Sequence, residues 1–255
     1  MTATDRFDTL PLAGAVLANL EQLGYARMTP VQAAALPLAL AGHDLIAQAK
    51  TGSGKTAAFA LGLLAAIDAS SIRLQGLVLC PTRELADQVS KEIRRLARFI
   101  PNVKVLTLCG GIPLRPHLAS LTHEPHLVVG TPGRILELLQ KGALPLAGIR
   151  VLVLDEADRM LDMGFSEDIH AITAEIPRKR QTLLFSATYN DAVREISRQF
   201  QRDALDVSVT ATLSTEEVGQ LFFAVDEARK FDTLNDLLVQ HRPESALVFC
   251  NTRHA

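Results

Sequence analysis

The sequence contains no tryptophan, and aromatic residues make up only 5% of its 255 residues. Cysteine is also scarce: only Cys80, Cys109 and Cys250 occur, each at the end of an apolar run, and no two of them form a CxxC pair. This pattern predicts three buried free thiols in a reducing compartment rather than a disulfide framework.

An excess of positive charge is missing as well, because the formal net charge is −2. Any contact with RNA or DNA must therefore depend on local backbone amides, helix ends and a few arginines. Residues Met1 to Asp8 contain no apolar signal segment, and no apolar run reaches the length of a membrane span. We expect a soluble, cytoplasmic protein without a membrane partner, whose 48% hydrophobic residues can form a large core in one or two domains.

The glycine-rich stretch Ala49–Thr56, with sequence AKTGSGKT, stands between a short apolar run and an apolar helical pattern. It fits the phosphate-loop pattern G-x-x-x-x-G-K-[ST], with alanine in place of the first glycine. Gly52 and Gly54 allow the backbone amides to surround an anion, Lys55 can reach the β- and γ-phosphates, and the Thr56 hydroxyl can ligate Mg²⁺. The alternative is a glycine-rich turn before an ordinary helix, which the Lys-Thr pair disfavours.

Apolar runs too short for helices alternate with helical patterns along the chain, which predicts a parallel α/β sheet covered on both faces. Ligands of such sheets bind beyond the carboxyl ends of the strands. We expect strands at 44–47, 76–80, 103–108, 126–129, 150–154 and 182–185, and helices at 12–23, 30–40, 57–64, 83–100, 134–140, 166–176 and 190–200.

Asp155 and Glu156 directly follow a wholly apolar strand. Asp155 can hold Mg²⁺ through water, and Glu156 can orient and deprotonate a water that attacks a phosphate. The alternative is an acidic helix start, since carboxylates suit helix N-termini. Ser186-Ala187-Thr188 also ends a strand, and beside these acids it could bond Asp158 and report the state of the nucleotide, although alone it is only a helix cap.

Three further segments place threonine, glycine or arginine at helix N-termini, which bind backbone phosphates without reading bases. Each alone is explained better by capping and turn chemistry. Together on one sheet edge they favour a nucleic-acid contact: Pro81-Thr82-Arg83, Gly110-Gly111 and Thr131-Pro132-Gly133-Arg134.

The polar, β-branched residues 209–217 predict a linker after a first domain at 1–208. Residues 218–255 then begin a second β-α-β pattern, with strands near 220–225 and 245–250 and a helix near 227–241. Such a start cannot bury both of its faces alone, so we expect the truncated beginning of a second domain.

Taken together, these motifs resemble the DEAD-box family of ATP-dependent RNA helicases, whose name Asp155-Glu156-Ala157-Asp158 spells. The resemblance implies a RecA-like phosphate-loop domain that binds ATP and Mg²⁺. In the family, Ala49–Thr56 corresponds to motif I, the segments at 81–83 and 131–134 to motifs Ia and Ib, and 186–188 to motif III. Residues 24–32 resemble the Q motif.

The resemblance also assigns site residues. Gln32, which spacing alone assigns to a solvated position near a helix start, is implied to read the adenine edge, and Phe7 lies where the family keeps an aromatic residue beside the adenine. Implied catalytic residues are Lys55, Asp155 and Glu156. Implied nucleotide-binding residues are Phe7, Tyr25, Arg27, Thr29, Gln32, Thr51, Gly52, Ser53, Gly54, Lys55 and Thr56.

Some stretches, such as Gln48–Thr51, resemble the bacterial DbpA subgroup, whose members select large-subunit ribosomal RNA through a carboxyl-terminal domain that this sequence does not contain. Motifs V and VI are not present either. We therefore expect a monomeric ATP-binding half with little activity of its own. There are two alternatives to an RNA helicase: an ATP-gated RNA clamp that does not unwind duplexes, and a DNA translocase.

Overall fold

The computed structural model describes residues 5–208, residue 219 and residues 221–250. The chain divides into two compact units, residues 1–211 and 212–255. The linker expected at 209–217 lies outside the described residues, so the domain boundaries remain predictions. None of the helices in the described ranges is long and apolar enough to cross a membrane.

The first unit is organised around a seven-stranded, all-parallel sheet, which confirms the predicted fold class. The strands are β1 (Leu45–Gln48), β2 (Gly76–Leu79), β3 (Val105–Leu108), β4 (Leu127–Gly130), β5 (Val151–Asp155), β6 (Gln181–Ser186) and β7 (Leu205–Ser208). Their order in the sheet is β3-β4-β2-β5-β6-β1-β7. The edge strand β7 was not predicted, because its pattern is polar and three of its four residues are exposed.

Helices cover both faces of this sheet and enclose two hydrophobic clusters. Side chains alternate between the clusters along each strand: Val151 and Val153 of β5 belong to one cluster, and Leu152 and Leu154 to the other. The helices of the first unit are α1 (Gly14–Gln22), α2 (Pro30–Leu40), α3 (Lys55–Ala66), α4 (Arg83–Leu96), α5 (Leu114–Leu121), α6 (Pro132–Gln140), α7 (Ala157–Asp162), α8 (Ser166–Ala174) and α9 (Asp191–Phe200).

Helix starts follow the capping residues of the sequence. Thr29 forms a capping box with Gln32 ahead of α2, and the Thr82 hydroxyl accepts from the Leu85 amide at the start of α4. Helix α4 ends at Leu96, earlier than the predicted residue 100. The short helices α5 and α7 were not predicted, because their patterns are too brief to show a period.

The second unit contains the predicted helix, as a short 3₁₀ turn at Glu227–Arg229 followed by α10 (Lys230–His241). The predicted strands are wrong over the described residues 221–225 and 245–250, which adopt no strand. A strand forms only with a hydrogen-bonded neighbour, and without one Phe222 and Phe249 remain exposed. Cys80 and Cys109 are buried as predicted, but Cys250 is exposed for the same reason.

Candidate functional site

The sheet order gathers the predicted site residues into two neighbouring groups at the carboxyl edge. Strands β5, β6 and β1 are adjacent and carry the acidic, Ser-Ala-Thr and phosphate-loop segments. Strands β3, β4 and β2 are adjacent on the other side and carry the three helix-start segments. The pairing of β2 with β5 therefore separates a phosphate-loop half from a helix-start half.

The loop before α3 is shaped by two glycines in the left-handed region, Gly52 with φ of 82° and Gly54 with φ of 89°. The Ser53 amide and hydroxyl both donate to the carbonyl of Lys50, at 3.3 and 2.7 Å. A Cβ at Gly54 would lie 2.6 Å from Nε2 of Gln32, so a side chain does not fit there. Helix α3 begins at Lys55, directly after this turn.

Lys55 lies buried between Asp155, the last residue of β5, and Glu156, which follows it. Its Nζ is 2.9 Å from Oδ1 of Asp155 and 3.4 Å from Oε1 of Glu156. Burial raises the pKa of the Asp155 carboxyl, although the Lys55 ammonium opposes this shift. Apart from that ion pair, neither oxygen of Asp155 has a hydrogen-bond partner among the described residues.

Glu156 has an unusual backbone, with φ of 54° and ψ of 53°, a region that non-glycine residues seldom adopt. Its Oε1 accepts from the Thr51 hydroxyl at 3.2 Å, in addition to the contact with Lys55. Its Oε2 accepts from Nη1 of Arg159 at 3.3 Å. Arg159 was missed from the sequence, because an exposed arginine in a short helix carries no signal of its own.

Asp158 connects the acidic segment to the Ser-Ala-Thr segment as predicted. Its Oδ2 accepts from the Thr188 amide and hydroxyl, both at 2.9 Å, and its own amide donates to the Ser186 hydroxyl at 3.2 Å. Burial raises the pKa of the Asp158 carboxyl, but hydrogen bonds from Thr188, Ser186 and the Arg159 amide together outweigh burial and the net shift is downward. The Ala187 carbonyl accepts from Nε2 of Gln48 at 3.3 Å.

A cavity of about 500 Å³ adjoins the phosphate loop. Gln32 is 2% exposed at its wall; its Oε1 accepts from the Thr29 amide at 2.9 Å and its Nε2 donates to the Gly54 carbonyl at 3.0 Å. One amide hydrogen and one lone pair of the side chain remain for a ligand. The lining also includes Gly24, Tyr25, Ala26, Arg27, Gly52, Thr56, Ala57, Gln88 and Glu92.

Phe7 lines a second cavity, of about 530 Å³, which shares Gly24, Tyr25 and Ala26 with the first. The rings of Phe7 and Tyr25 meet edge to face, with centroids 6.0 Å apart. The Tyr25 hydroxyl donates to Glu92, and burial together with this bond raises the pKa of the tyrosine. Arg27 lines the first cavity, and its Nη1 also forms an ion pair with Oδ2 of Asp5 at 2.8 Å.

Gln88 and Glu92 of α4 are lining residues that sequence reasoning missed. Their spacing of four residues places them on one helix face, and this was the available signal. It could not be interpreted because the sequence does not show that this face turns toward the phosphate loop.

In the helix-start half, the three predicted segments come together. The Thr131 hydroxyl accepts from the Gly110 amide at 3.2 Å. The nearest atom to a Cβ placed on Gly111 would be Nη1 of Arg83, at 3.3 Å. Arg83, Gly111 and Gly133 are exposed, Thr82, Gly110 and Thr131 are half-buried, and Pro81 and Pro132 are buried.

Arg134 differs from its neighbours because its guanidinium is buried. Nη1 lies 2.6 Å from Nδ1 of His117, Nη2 donates to the Ile112 carbonyl at 2.7 Å, and Nε lies 3.0 Å from Oε2 of Glu137. The side chain thus holds the loop and helix that follow β3.

The sequence matches the DEAD/DEAH box helicase family over residues 29–196, a range that includes both halves of the sheet edge. The chain belongs to this family. This DEAD-box chain is 55% identical over 253 residues to the ATP-dependent RNA helicase DbpA of Escherichia coli, covering 99% of the chain and 55% of that protein. It is 45% identical to the DEAD-box ATP-dependent RNA helicase CshA of Streptococcus pneumoniae, covering 97% of the chain and 47% of that protein. The DEAD-box chain therefore spans about half the length of these relatives, and the resemblance to the family and to the DbpA subgroup is confirmed.

Solved structures agree with this assignment. The DEAD-box chain is similar to a DEAD box protein from Methanococcus jannaschii, with a TM-score of 0.78 and 34% identity over 92% of this chain and 63% of that one. It is also similar to a hypothetical ATP-dependent RNA helicase from Sulfolobus tokodaii, with a TM-score of 0.71 and 35% identity over 78% of this chain and 57% of that one. The fold is therefore the RecA-like fold of DEAD-box proteins.

Proposed function

We propose that this chain is the ATP-binding half of an RNA-dependent ATPase and RNA helicase, which couples ATP binding and hydrolysis to RNA binding and local duplex unwinding. The observation that carries the proposal is the meeting of Lys55, Asp155 and Glu156 beneath a two-glycine loop, since an ammonium, a buried acid and an orientable carboxylate are the groups that phosphoryl transfer requires.

In this proposal Lys55 binds the β- and γ-phosphates, together with the amides of residues 51–56 and the start of α3. The phosphates then take the place that Asp155 and Glu156 hold beside the ammonium. Gln32 uses its free amide hydrogen and lone pair for the adenine edge, and Phe7, Tyr25, Arg27 and Thr29 enclose the base. Glu156 orients the attacking water and accepts its proton.

Mg²⁺ fits the acidic side of this site. Both oxygens of Asp155 are buried, and the ion pair with Lys55 leaves lone pairs free on each of them. Oxygen ligands of this kind, with waters, are what Mg²⁺ prefers, and the Thr56 hydroxyl is the second protein ligand that we propose. When bound, the ion neutralises charge on the phosphate oxygens.

RNA contacts belong to the helix-start half, through the backbone amides near Thr82, Gly110, Gly111, Thr131 and Gly133 and through the exposed Arg83. We extend the proposal in three respects. The RNA is ribosomal RNA of the large subunit, the chain is cytoplasmic and monomeric, and Asp158 and Thr188 report the state of the nucleotide. The resemblance to the DbpA subgroup supports the first of these. The hydrogen bonds that Thr188, just after β6, donates to Asp158 in α7 support the last. We expect little hydrolysis from this chain alone, because we assign no arginine finger for the γ-phosphate among the residues that the structure describes.

Isothermal titration calorimetry tests the proposal through base selectivity. We expect tighter binding of ADP than of GDP, because a buried amide paired with one base edge rejects the edge with exchanged donors and acceptors. Gln32→Ala should reduce this preference, whereas Lys55→Ala should weaken both nucleotides alike. Equal affinity of the unaltered chain for ADP and GDP would contradict the proposal.

A further inference from the structure

A single buried guanidinium fastens three segments at the predicted RNA edge. Arg134 belongs to α6, its Nη2 holds the Ile112 carbonyl of the loop after β3, and its Nη1 meets the imidazole of His117 in α5. Arg134 and His117 are 8% and 6% exposed. We name this arrangement the Arg134–His117 clamp.

The clamp requires a neutral imidazole. A guanidinium can only donate hydrogen bonds, so Nδ1 of His117, at 2.6 Å, must present its lone pair. The ring hydrogen is therefore on Nε2. Burial and the adjacent Arg134 cation lower the pKa of His117, which agrees with a neutral ring.

The clamp acts directly on the segment that carries the predicted phosphate contacts. Ile112 follows Gly110 and Gly111, and Gly111 has a φ of 80° that any shift of the loop would alter. The Gly110 amide donates to the Thr131 hydroxyl. Thr131 lies directly before α6, three residues ahead of Arg134. Fixing Ile112 to Arg134 therefore sets the position of Gly110 and Gly111 relative to α6.

We propose that Arg134 and His117 are positioning residues for RNA binding, and that protonation of His117 opens the clamp and weakens the affinity for RNA. The inference rests on the RNA contact proposed above. It gives Arg134 a different task from the direct phosphate contact predicted from the sequence.

The charges around His117 favour this outcome. Arg134 and Glu137 of α6 are the charged groups that act on the imidazole, and Arg115 of its own helix is exposed. Glu137 is engaged with Nε of Arg134. A proton on His117 therefore removes an acceptor and places a second cation against Arg134.

The test compares RNA affinity at pH 7.5 and 5.5 for the unaltered chain and His117→Asn, using fluorescence anisotropy of labelled oligouridine at low salt. The asparagine oxygen can take the place of Nδ1 without titrating. We expect the unaltered chain to lose roughly two- to fivefold more affinity on acidification than His117→Asn, because linkage limits the loss to the share of chains in which a histidine of lowered pKa is protonated at pH 5.5.

His123→Asn is the matched control, because His123 is exposed and should leave the pH profile of the unaltered chain unchanged. Parallel profiles for the unaltered chain and a folded His117→Asn would overturn the inference while leaving RNA binding intact. Absence of RNA binding at pH 7.5 by the folded, unaltered chain would overturn the proposed function as well.

A second measurement needs no variant. The His117 ring can be titrated by NMR with and without oligouridine. Because RNA should prefer the neutral ring, linkage requires that RNA lowers the pKa of His117. Simple proximity to phosphates would raise it instead, so an unchanged or raised pKa would contradict the clamp even if the variant failed to fold.

Discussion

At the scale of single residues, Glu156 shows how a carboxylate is oriented by its neighbours. Thr51, Lys55 and Arg159 approach it from the loop before α3, from α3 and from α7. Two side chains on Oε1 and one on Oε2 fix the rotation of the group, and a fixed rotation is what a general base needs to orient water.

We expect Glu156→Gln to keep ATP binding and to lower hydrolysis by about 10²–10⁴-fold, the usual contribution of a general base. Glutamine keeps the shape and can still accept from Thr51, but it cannot take a proton. Calorimetry measures the binding, and long single-turnover incubations with labelled ATP measure the cleavage. Arg159→Gln serves as a control, because it removes one neighbour of Glu156 but keeps the carboxylate that takes the proton. Hydrolysis by Glu156→Gln near the rate of the unaltered chain would place the base elsewhere.

Gln32 shows where reasoning from the residues alone stops. Its place in a first helical turn favoured a solvated side chain, whereas the structure buries it between the Thr29 amide and the Gly54 carbonyl. The sequence contains the capping pattern, but the second bond joins residues 22 positions apart, and spacing does not reveal such contacts. Only the resemblance to the family singled the residue out.

At the scale of elements, the long periodic segments were predictable and the short ones were not. Helix α2 and strand β2 follow from capping residues and from an apolar run, both of which are local properties. Strand β7 forms because β1 lies beside it, and the segments at 221–225 and 245–250 form no strand because no described segment pairs with them. These outcomes depend on neighbours rather than on propensity.

The packing of α3 on α2 offers an element-scale prediction. Gly62 lies inside α3, and a Cβ there would approach the Cβ of Ala39 to 2.9 Å. Alanine gains about 1 kcal/mol of helix propensity over glycine, but overpacking costs about 1–3 kcal/mol, and a Cβ cannot rotate away. We therefore expect Gly62→Ala to lower the free energy of unfolding, measured by urea denaturation.

Ala39→Gly in the Gly62→Ala background should restore part of that loss, because it removes the atom that clashes. The matched control is Gly14→Ala, at a helical glycine whose Cβ would meet no atom within 4 Å. A Gly62→Ala chain that is more stable than the unaltered one would show that the two helices separate at little cost.

At the scale of the whole molecule, the strand order is what makes the scattered motifs one surface. Chain order mixes the two halves, because β2 with its helix-start segment lies between β1 and β5 in sequence. The order β3-β4-β2-β5-β6-β1-β7 separates them. Alternation of strands and helices predicts a common edge for all the motifs, but not which motifs are neighbours, since crossover connections are not encoded locally.

The left-handed backbone of Glu156 has a consequence for the durability of the fold. A non-glycine residue in that region costs about 1–2 kcal/mol, and asparagine tolerates it better than glutamate. We expect Glu156→Asn, which keeps Lys55 paired with Asp155, to melt at a higher temperature than the unaltered chain. A lower melting temperature would mean that the ion pairs outweigh the backbone strain. If the temperature rises, the more heat-resistant chain would lack the carboxylate that we propose as the base. Variants selected only for heat resistance should then lose the proposed hydrolysis through changes at this position.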